Sequence, residues 1–73
     1  MKKEEILSKI GLKIKAIRLS KNVSQQDLAA ACNFEKSNMS RIEAGRSNFT
    51  IGTLLKISEF LDIHIKELFD FEE

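Results

Sequence analysis

Apolar residues recur near the start of the chain at the spacing of an α-helix. The isoleucines that share this spacing, of four, four and three residues, are Ile6, Ile10, Ile14 and Ile17. The periodicity places them on one face of a helix. Glu4 and Glu5 lie where the positive end of the helix dipole favours acidic groups, and Asn22 can adopt the left-handed conformation common at helix ends. The pattern predicts a first helix over residues 4–21.

The stretch SQQDLAAACNFEKSNMSRIEAG, residues 24–45, breaks a run of good helix formers with an asparagine. Ser24 can accept a backbone N–H as an N-cap, and Asp27 three residues later is a shortened form of the capping box. A helix is therefore predicted from there to about residue 31. Asn33 tolerates the positive φ of a tight turn. The stretch predicts two short helices joined by a turn.

The second of these helices is predicted over residues 36–44 and ends at Gly45, the usual residue type at a left-handed helix end. At about 100° per residue, Met39 and Ile42 fall on one side. The residues of the opposite side are Lys36, Ser37, Ser40, Arg41 and Ala44. Such a helix is held by two apolar residues and exposes a polar, basic face to something other than the core.

Two further helices complete the prediction. Thr50 can cap a helix over residues 51–61, and a last helix is predicted over residues 65–71. The residues of the fourth helix that are predicted to point inward are Leu54, Leu55, Ile57 and Leu61. Proline is absent, and no alternating run is long enough for a strand. Residues 1–73 are therefore predicted to form one all-α domain, a compact five-helix bundle.

The charges are unevenly distributed along the chain. Residues 1–50 hold ten Lys or Arg against five Asp or Glu, a net of +5, whereas residues 51–73 hold two against six, a net of −4. The basic excess indicates a polyanionic partner on one side of the molecule. Two solvated faces that differ in charge without a common partner are the alternative.

Cys32 is the single cysteine, which excludes an intrachain disulfide and a zinc cage and fits a reducing compartment. No apolar run has the length of a signal peptide or reaches the roughly 20 residues of a membrane span. We therefore expect a cytoplasmic protein. The basic amphipathic first helix could lie on a membrane surface, but the other helices need its apolar face as a partner, which favours a core position.

The order of these segments resembles the helix-turn-helix DNA-binding domain of phage repressors and Cro proteins, the Cro/repressor (XRE) family. The likeness rests on SQQDLA, the turn, SNMSRIEAGR and TIGTLLKISEFLDI, and covers about residues 10–70. The residues at the family's spacings are Gln25, Leu28, Ala29, Ser40, Ile42, Glu43 and Gly45. The resemblance implies a lambda-repressor-like fold with a helix-turn-helix at helices two and three. It also implies a sequence-specific double-stranded DNA-binding transcriptional regulator, a repressor or controller protein.

The resemblance assigns DNA-binding roles to individual residues. Gln25 would reach the DNA backbone and brace the third helix. The residues that match base-facing positions in the major groove are Lys36, Ser37 and Arg41, and Ser40 lies beside them. In the following loop, Arg46 and Asn48 match phosphate-contacting positions. The planar fork of Arg suits guanine O6 and N7, and this kind of recognition requires no reaction, cofactor or metal.

The resemblance also indicates how the third helix is held. Arg18 and Glu43 match a pair that ties the first helix to the end of the third. Asn22 and Asn33 stand where the family often has glycine, and both can adopt the left-handed conformation that the turns need. Glu35 stands where many members have a capping Ser or Thr, and Glu is a weaker cap. The turns are therefore expected to be kept, and the departure at Glu35 affects the angle of the third helix rather than the fold.

Catalytic and metal sites find little support in the residues. His64 has no second ligand at a suitable spacing, so a capping or surface role is expected. Cys32 lies at an apolar position with no base partner, so it is expected in the core. We therefore expect no enzyme activity and no cofactor.

A homodimer is expected, because one unit of this size covers only a half-site, and its operator should be an inverted repeat. The interface is expected at the acidic end, where the surplus apolar residues are Ile63, Ile65, Leu68, Phe69 and Phe71. The alternative, in which all of these complete the monomer core, stays open.

An antitoxin of the same fold, whose main task is to bind a toxin protein, is the alternative function. A contact with RNA polymerase is likewise left open.

Overall fold

The computed structural model describes residues 1–71, which contain four α-helices, a terminal 3₁₀ helix and no strand. The elements are α1 (Lys3–Ser20), α2 (Gln25–Ala31), α3 (Lys36–Glu43), α4 (Ile51–Leu61) and the 3₁₀ helix (Ile65–Phe69). The predicted all-α architecture is confirmed, and the predicted bounds of the four α-helices agree with the structure to within one residue. The last element differs from the prediction.

The helix ends follow the local sequence. The Ser24 hydroxyl accepts the Asp27 N–H at 2.9 Å, and Thr50 Oγ1 accepts the Thr53 N–H at 3.1 Å. These bonds satisfy backbone donors that the first helical turn leaves unpaired. The residues that take the left-handed conformation between elements, with φ from 58° to 74°, are Asn22, Asn33, Gly45 and Asp62. The predicted caps and turn residues are therefore confirmed, and Asp62 adds one that the sequence did not indicate.

The core is a single apolar cluster to which every helix contributes. Its buried members are Ile10, Ile14, Leu28, Ala29, Cys32, Met39, Ile42, Leu54, Ile57, Leu61 and Leu68. Ile6 and Ile17 are half-buried at the edge of this cluster, so the isoleucine face predicted for α1 does point inward. The predicted core position of Cys32 is confirmed as well.

The prediction that Leu55 points inward is wrong, because its side chain is 43% exposed. The buried residues of α4 are Leu54, Ile57, Ser58 and Leu61. Leu55 follows Leu54 by one residue and is therefore turned by about 100° away from that face. Ser58 occupies the inward position instead, and its hydroxyl donates to the Leu55 carbonyl at 3.0 Å.

The predicted fifth α-helix over residues 65–71 is a 3₁₀ helix that ends at Phe69. Its start is fixed by His64, whose Nδ1 accepts the Lys66 N–H at 3.1 Å. The His64 N–H in turn donates to Glu67 Oε2 at 3.2 Å. The segment has only five residues, and 3₁₀ geometry is confined to short segments such as this. The 3₁₀ helix packs against α1 and α4 and places Leu68 in the core.

Candidate nucleic-acid interface

The two sides of α3 differ sharply in exposure. Met39 and Ile42 are buried, with 0% and 2% of their surface accessible. The exposed residues on its other side are Lys36, Ser37, Ser40, Arg41 and the following Ala44. The structure therefore brings together, on one exposed face, the four residues of this helix to which the sequence assigned DNA contacts.

A buried ion pair fixes the C-terminal end of α3. Arg18 donates from Nε to Glu43 Oε2 at 2.7 Å and from Nη2 to Oε1 at 3.1 Å, with both side chains more than nine-tenths buried. A third donor, Nη1, binds the Val23 carbonyl at 2.8 Å. A bidentate guanidinium–carboxylate contact fixes the relative orientation of the two side chains as well as their distance. The predicted link between α1 and the end of α3 is confirmed.

Gln25 joins the same network from the first position of α2. Its Nε2 donates to Glu43 Oε1 at 2.9 Å, so the predicted bracing of α3 is present. The side-chain amide has a second N–H and a carbonyl oxygen. Gln25 can therefore hold α3 and still bind a group outside the protein.

Glycines allow α1 and the end of α3 to approach closely, which the sequence reasoning missed. A Cβ atom at Gly11 would lie 2.5 Å from the carbonyl oxygen of Glu43 and 2.6 Å from that of Ile42. At Gly45, where φ is +74°, it would lie 2.7 Å from Ser8 Cα. The signal in the sequence was an isolated glycine inside a helical pattern, which often marks close packing.

The loop after α3 continues the exposed polar surface. The Arg46 N–H donates to the Arg41 carbonyl at 2.9 Å, which keeps the start of the loop against the helix end. The Arg46 and Asn48 side chains are exposed, and the Ser47 hydroxyl donates to the Asn48 carbonyl at 3.3 Å. The exposed Arg46 and Asn48 side chains therefore extend the polar surface beyond the end of α3.

Glu35 occupies the N-cap position of α3 with an extended backbone, but its side chain makes no capping hydrogen bond. This agrees with its expected weakness as a cap. The side chain is exposed at the start of the helix, so its carboxylate lies beside the residues assigned to DNA. It brings a negative charge to an otherwise basic face.

Cys32 and His64, the other side chains considered for catalysis or metal binding, occupy structural positions. Burial raises the pKa of the Cys32 thiol, while the charge of Lys56 acts in the opposite direction. His64 caps the 3₁₀ helix, as described above. Among residues 1–71, no three His, Cys, Asp or Glu side chains are grouped as metal ligands. In that same part of the chain, no helix combines the length and apolar character that spanning a membrane requires.

Apolar side chains are also exposed at the C-terminal end, but they are not the ones the sequence indicated. Leu68 is fully buried, and Ile63, Ile65 and Phe71 are half-buried against the core, so only Phe69 of the predicted set is exposed. The large apolar side chains that α4 exposes are Ile51, Leu55 and Phe60. The predicted interface set is therefore wrong for four of its five residues, which pack against the core as the alternative interpretation expected, and the other large apolar side chains exposed in this half of the chain lie on α4.

Comparisons with known proteins agree in pointing to one kind of protein. Residues 14–68 match a family model described as helix-turn-helix. The chain is 42% identical over 62 residues to the control protein C.BamHI of Bacillus amyloliquefaciens, which covers 84% of this chain and 76% of that protein. It is 36% identical over 66 residues to the control protein C.MunI of a Mycoplasma species, with 89% of each covered.

A solved structure extends this agreement to three dimensions. The crystal structure of the restriction-modification controller protein C.AhdI from Aeromonas hydrophila matches with a TM-score of 0.82 and 32% sequence identity. The match covers 85% of this chain and 94% of that one. The arrangement of helices described above is therefore also found in an experimentally determined protein.

Proposed function

This chain belongs to the Cro/repressor (XRE) family of helix-turn-helix transcriptional regulators, and we propose that α3 is the helix with which it reads the major groove of DNA. It is a DNA-binding transcriptional regulator. The observation that carries the proposal is the division of α3 into a buried apolar side and an exposed side with polar and basic groups. The major groove, about 12 Å wide, admits a single α-helix presented in this way.

The exposed side chains differ in what they can do. Arg41 has the planar fork that binds guanine O6 and N7, and Lys36 and Ser37 supply donors at the first turn of α3. Ser40 lies between these positions and adds a hydroxyl. Phosphate contacts are proposed for the flanking residues Gln25, Arg46 and Asn48. Flanking contacts of this kind set the orientation of the protein, whereas base contacts supply the specificity.

Salt-dependent binding tests the proposal. Duplexes with high affinity are first selected from a random-sequence pool, and their affinity is then compared with that of the pool by fluorescence anisotropy. Affinity for both should fall steeply as salt rises, because lysines and arginines that bind phosphate release condensed counterions. A flat salt response, or failure to enrich any sequence, would contradict the proposed function.

We propose that the functional form is a symmetric homodimer bound to an inverted repeat. One helix-turn-helix unit buries roughly 600 to 1,000 Å² of protein surface on DNA, which covers only a half-site. Two units related by a two-fold axis would present their α3 helices about 34 to 36 Å apart, one turn of DNA. The selected duplexes should therefore contain two inverted half-sites with centres about 10 base pairs apart.

The exposed apolar side chains of α4 are the best candidates for the dimer interface. Ile51 is 61% exposed and Leu55 is 43% exposed, one turn further along the same side of α4. Asp at both positions should shift sedimentation from dimer to monomer, because two charges from each protomer would have to be buried in the interface. Leu19→Asp, which changes an exposed leucine of α1, is the matched control and should leave the dimer intact. Dimers that survive the double change would place the interface elsewhere.

The cellular role that we propose is control of restriction-modification genes. Two relatives are named control proteins, and the matching solved structure is called a restriction-modification controller protein. The matches give no support to the antitoxin alternative. The role requires a location shared with DNA, for which we propose the cytoplasm, and it requires no catalysis. Selected operator sequences should occur upstream of this protein's own gene and should respond to it in a reporter assay.

A further inference from the structure

A cleft of about 280 Å³ lies between α1 and the helix-turn-helix. Its lining residues are Leu12, Lys15, Gln25, Ser40, Glu43 and Ala44. Gln25 and Ser40 are among the residues proposed above to contact DNA, so the cleft adjoins the proposed interface. Leu12 and Lys15 come from α1, which lies outside the helix-turn-helix and contributes none of the DNA contacts proposed so far.

Lys15 supplies the positive charge in this cleft. Glu43 brings a carboxylate to it, but both carboxylate oxygens are held by Arg18, and Oε1 also accepts a hydrogen bond from Gln25. Only 5% of Glu43 is exposed. The Lys15 side chain is exposed, and within residues 1–71 its ammonium group has no carboxylate partner. An anion that enters the cleft therefore meets a positive charge that no neighbouring acid neutralises.

We propose that Lys15 binds a backbone phosphate of the duplex in this cleft, so that α1 takes part in DNA binding. The inference rests on the proposed function, because it assigns a further contact to the same interface. A phosphate oxygen there can accept hydrogen bonds from the Lys15 ammonium group, the Ser40 hydroxyl and the second amide N–H of Gln25. A contact of this kind adds affinity without sequence preference.

Lys13 provides a matched control on the same helix. It precedes Lys15 by two residues and is therefore turned by about 200° around the helix axis. Lys13 lines a different groove, together with Asp70 and Phe71. Removing either lysine changes the net charge of the protein by the same amount, but only Lys15 faces the proposed DNA-binding side.

Anisotropy titrations of Lys15→Gln, Lys15→Arg and Lys13→Gln against a selected operator and a random duplex test the inference. Lys15→Gln should weaken binding to both duplexes by a similar factor. It should also make the negative slope of log affinity against log salt shallower by about 0.9, because one fewer phosphate is neutralised. Its deficit in affinity relative to wild type should thus shrink about 3.5-fold between 50 and 200 mM salt. Lys15→Arg and Lys13→Gln should retain the wild-type slope.

Three outcomes would overturn the inference. If Lys15→Gln kept the wild-type slope and affinity, Lys15 would make no contact with phosphate. An equal change in Lys13→Gln would show a general effect of net charge, and a loss confined to the operator would show base recognition instead. Because Lys15 is exposed, thermal unfolding of its variants should match wild type, which separates binding from folding. A salt-independent wild type would instead contradict the proposed function itself.

Discussion

The two sides of α3 show how one short helix can serve both folding and recognition. The buried side carries Met39, Ile42 and Glu43, whereas the exposed side carries Lys36, Ser37, Ser40 and Arg41. An isolated helix of eight residues is not stable in water. Contacts of the buried side must therefore hold the helix in place, and the exposed side chains are not required for its folding. Substitutions on the two sides should accordingly separate stability from DNA binding.

The largest effect is expected on the buried side, at the ion pair. Arg18→Met leaves the Glu43 carboxylate buried without its charged partner, which should lower the free energy of unfolding by about 3 to 5 kcal/mol. Urea denaturation provides the measurement. A loss that large is a substantial part of the total stability expected of a small domain, about 5 to 15 kcal/mol.

A double-mutant cycle with Glu43→Met is the control for this effect. The double variant replaces both charges with apolar groups and should lose less than the sum of the two single variants, because no unpaired charge is left. Strictly additive losses would show that Arg18 and Glu43 do not interact and would contradict the buried pair.

A smaller effect, on DNA rather than on stability, is expected on the exposed side. Arg41→Ala should weaken binding to the selected operator by about 1 to 3 kcal/mol and relax the preference at one base position. The free energy of unfolding should change by less than about 0.5 kcal/mol, because the side chain is exposed. Anisotropy and urea denaturation of the same sample measure both quantities.

Arg46→Ala is the comparison variant for Arg41→Ala. As a proposed phosphate contact in the loop, Arg46 should contribute equally on the operator and on random DNA. If Arg41→Ala also weakened both duplexes equally, the base-reading role assigned to Arg41 would be wrong.

The smallest effect is expected where the two sides meet, at the start of α3. Glu35 has the extended backbone of an N-cap residue, with φ −76° and ψ 150°, but provides no capping bond. Glu35→Ser should therefore raise the free energy of unfolding by about 0.5 to 2 kcal/mol, measured in urea. Glu35→Ala removes the same charge without adding a cap and should not stabilise the protein. Equal stability of the Ser and Ala variants would refute the capping explanation.

Most of the fold could be predicted because the helix ends are encoded locally. Ser24, Thr50 and Asn33 each act through hydrogen bonds or backbone angles within a few residues, and these are readable from sequence. The ion pair between Arg18 and Glu43 spans 25 residues and was accessible only through the family resemblance.

The errors occurred where the outcome depended on packing between distant segments. Leu55 and Leu54 are equally apolar, and which one is buried depends on how α4 is rotated against the other helices. The close contact at Gly11 likewise depends on the placement of α3 carbonyl groups that lie far along the chain. The 3₁₀ helix is set by Leu68 entering the core and by the cap at His64. Periodicity favours the face that Leu54 shares with the other buried residues of α4 over Leu55, but it contains neither the contact at Gly11 nor the 3₁₀ geometry of the last element.

The most direct test of the central claim is a set of intermolecular nuclear Overhauser effects in the complex with a selected operator duplex. The account predicts contacts from Lys36, Ser37 and Arg41 side-chain protons to the major-groove protons of the bases, the thymine methyl groups and cytosine H5. It predicts no such contacts from α4. The account would be contradicted if α3 gave no contacts to these base protons and α4 or the 3₁₀ helix gave them instead.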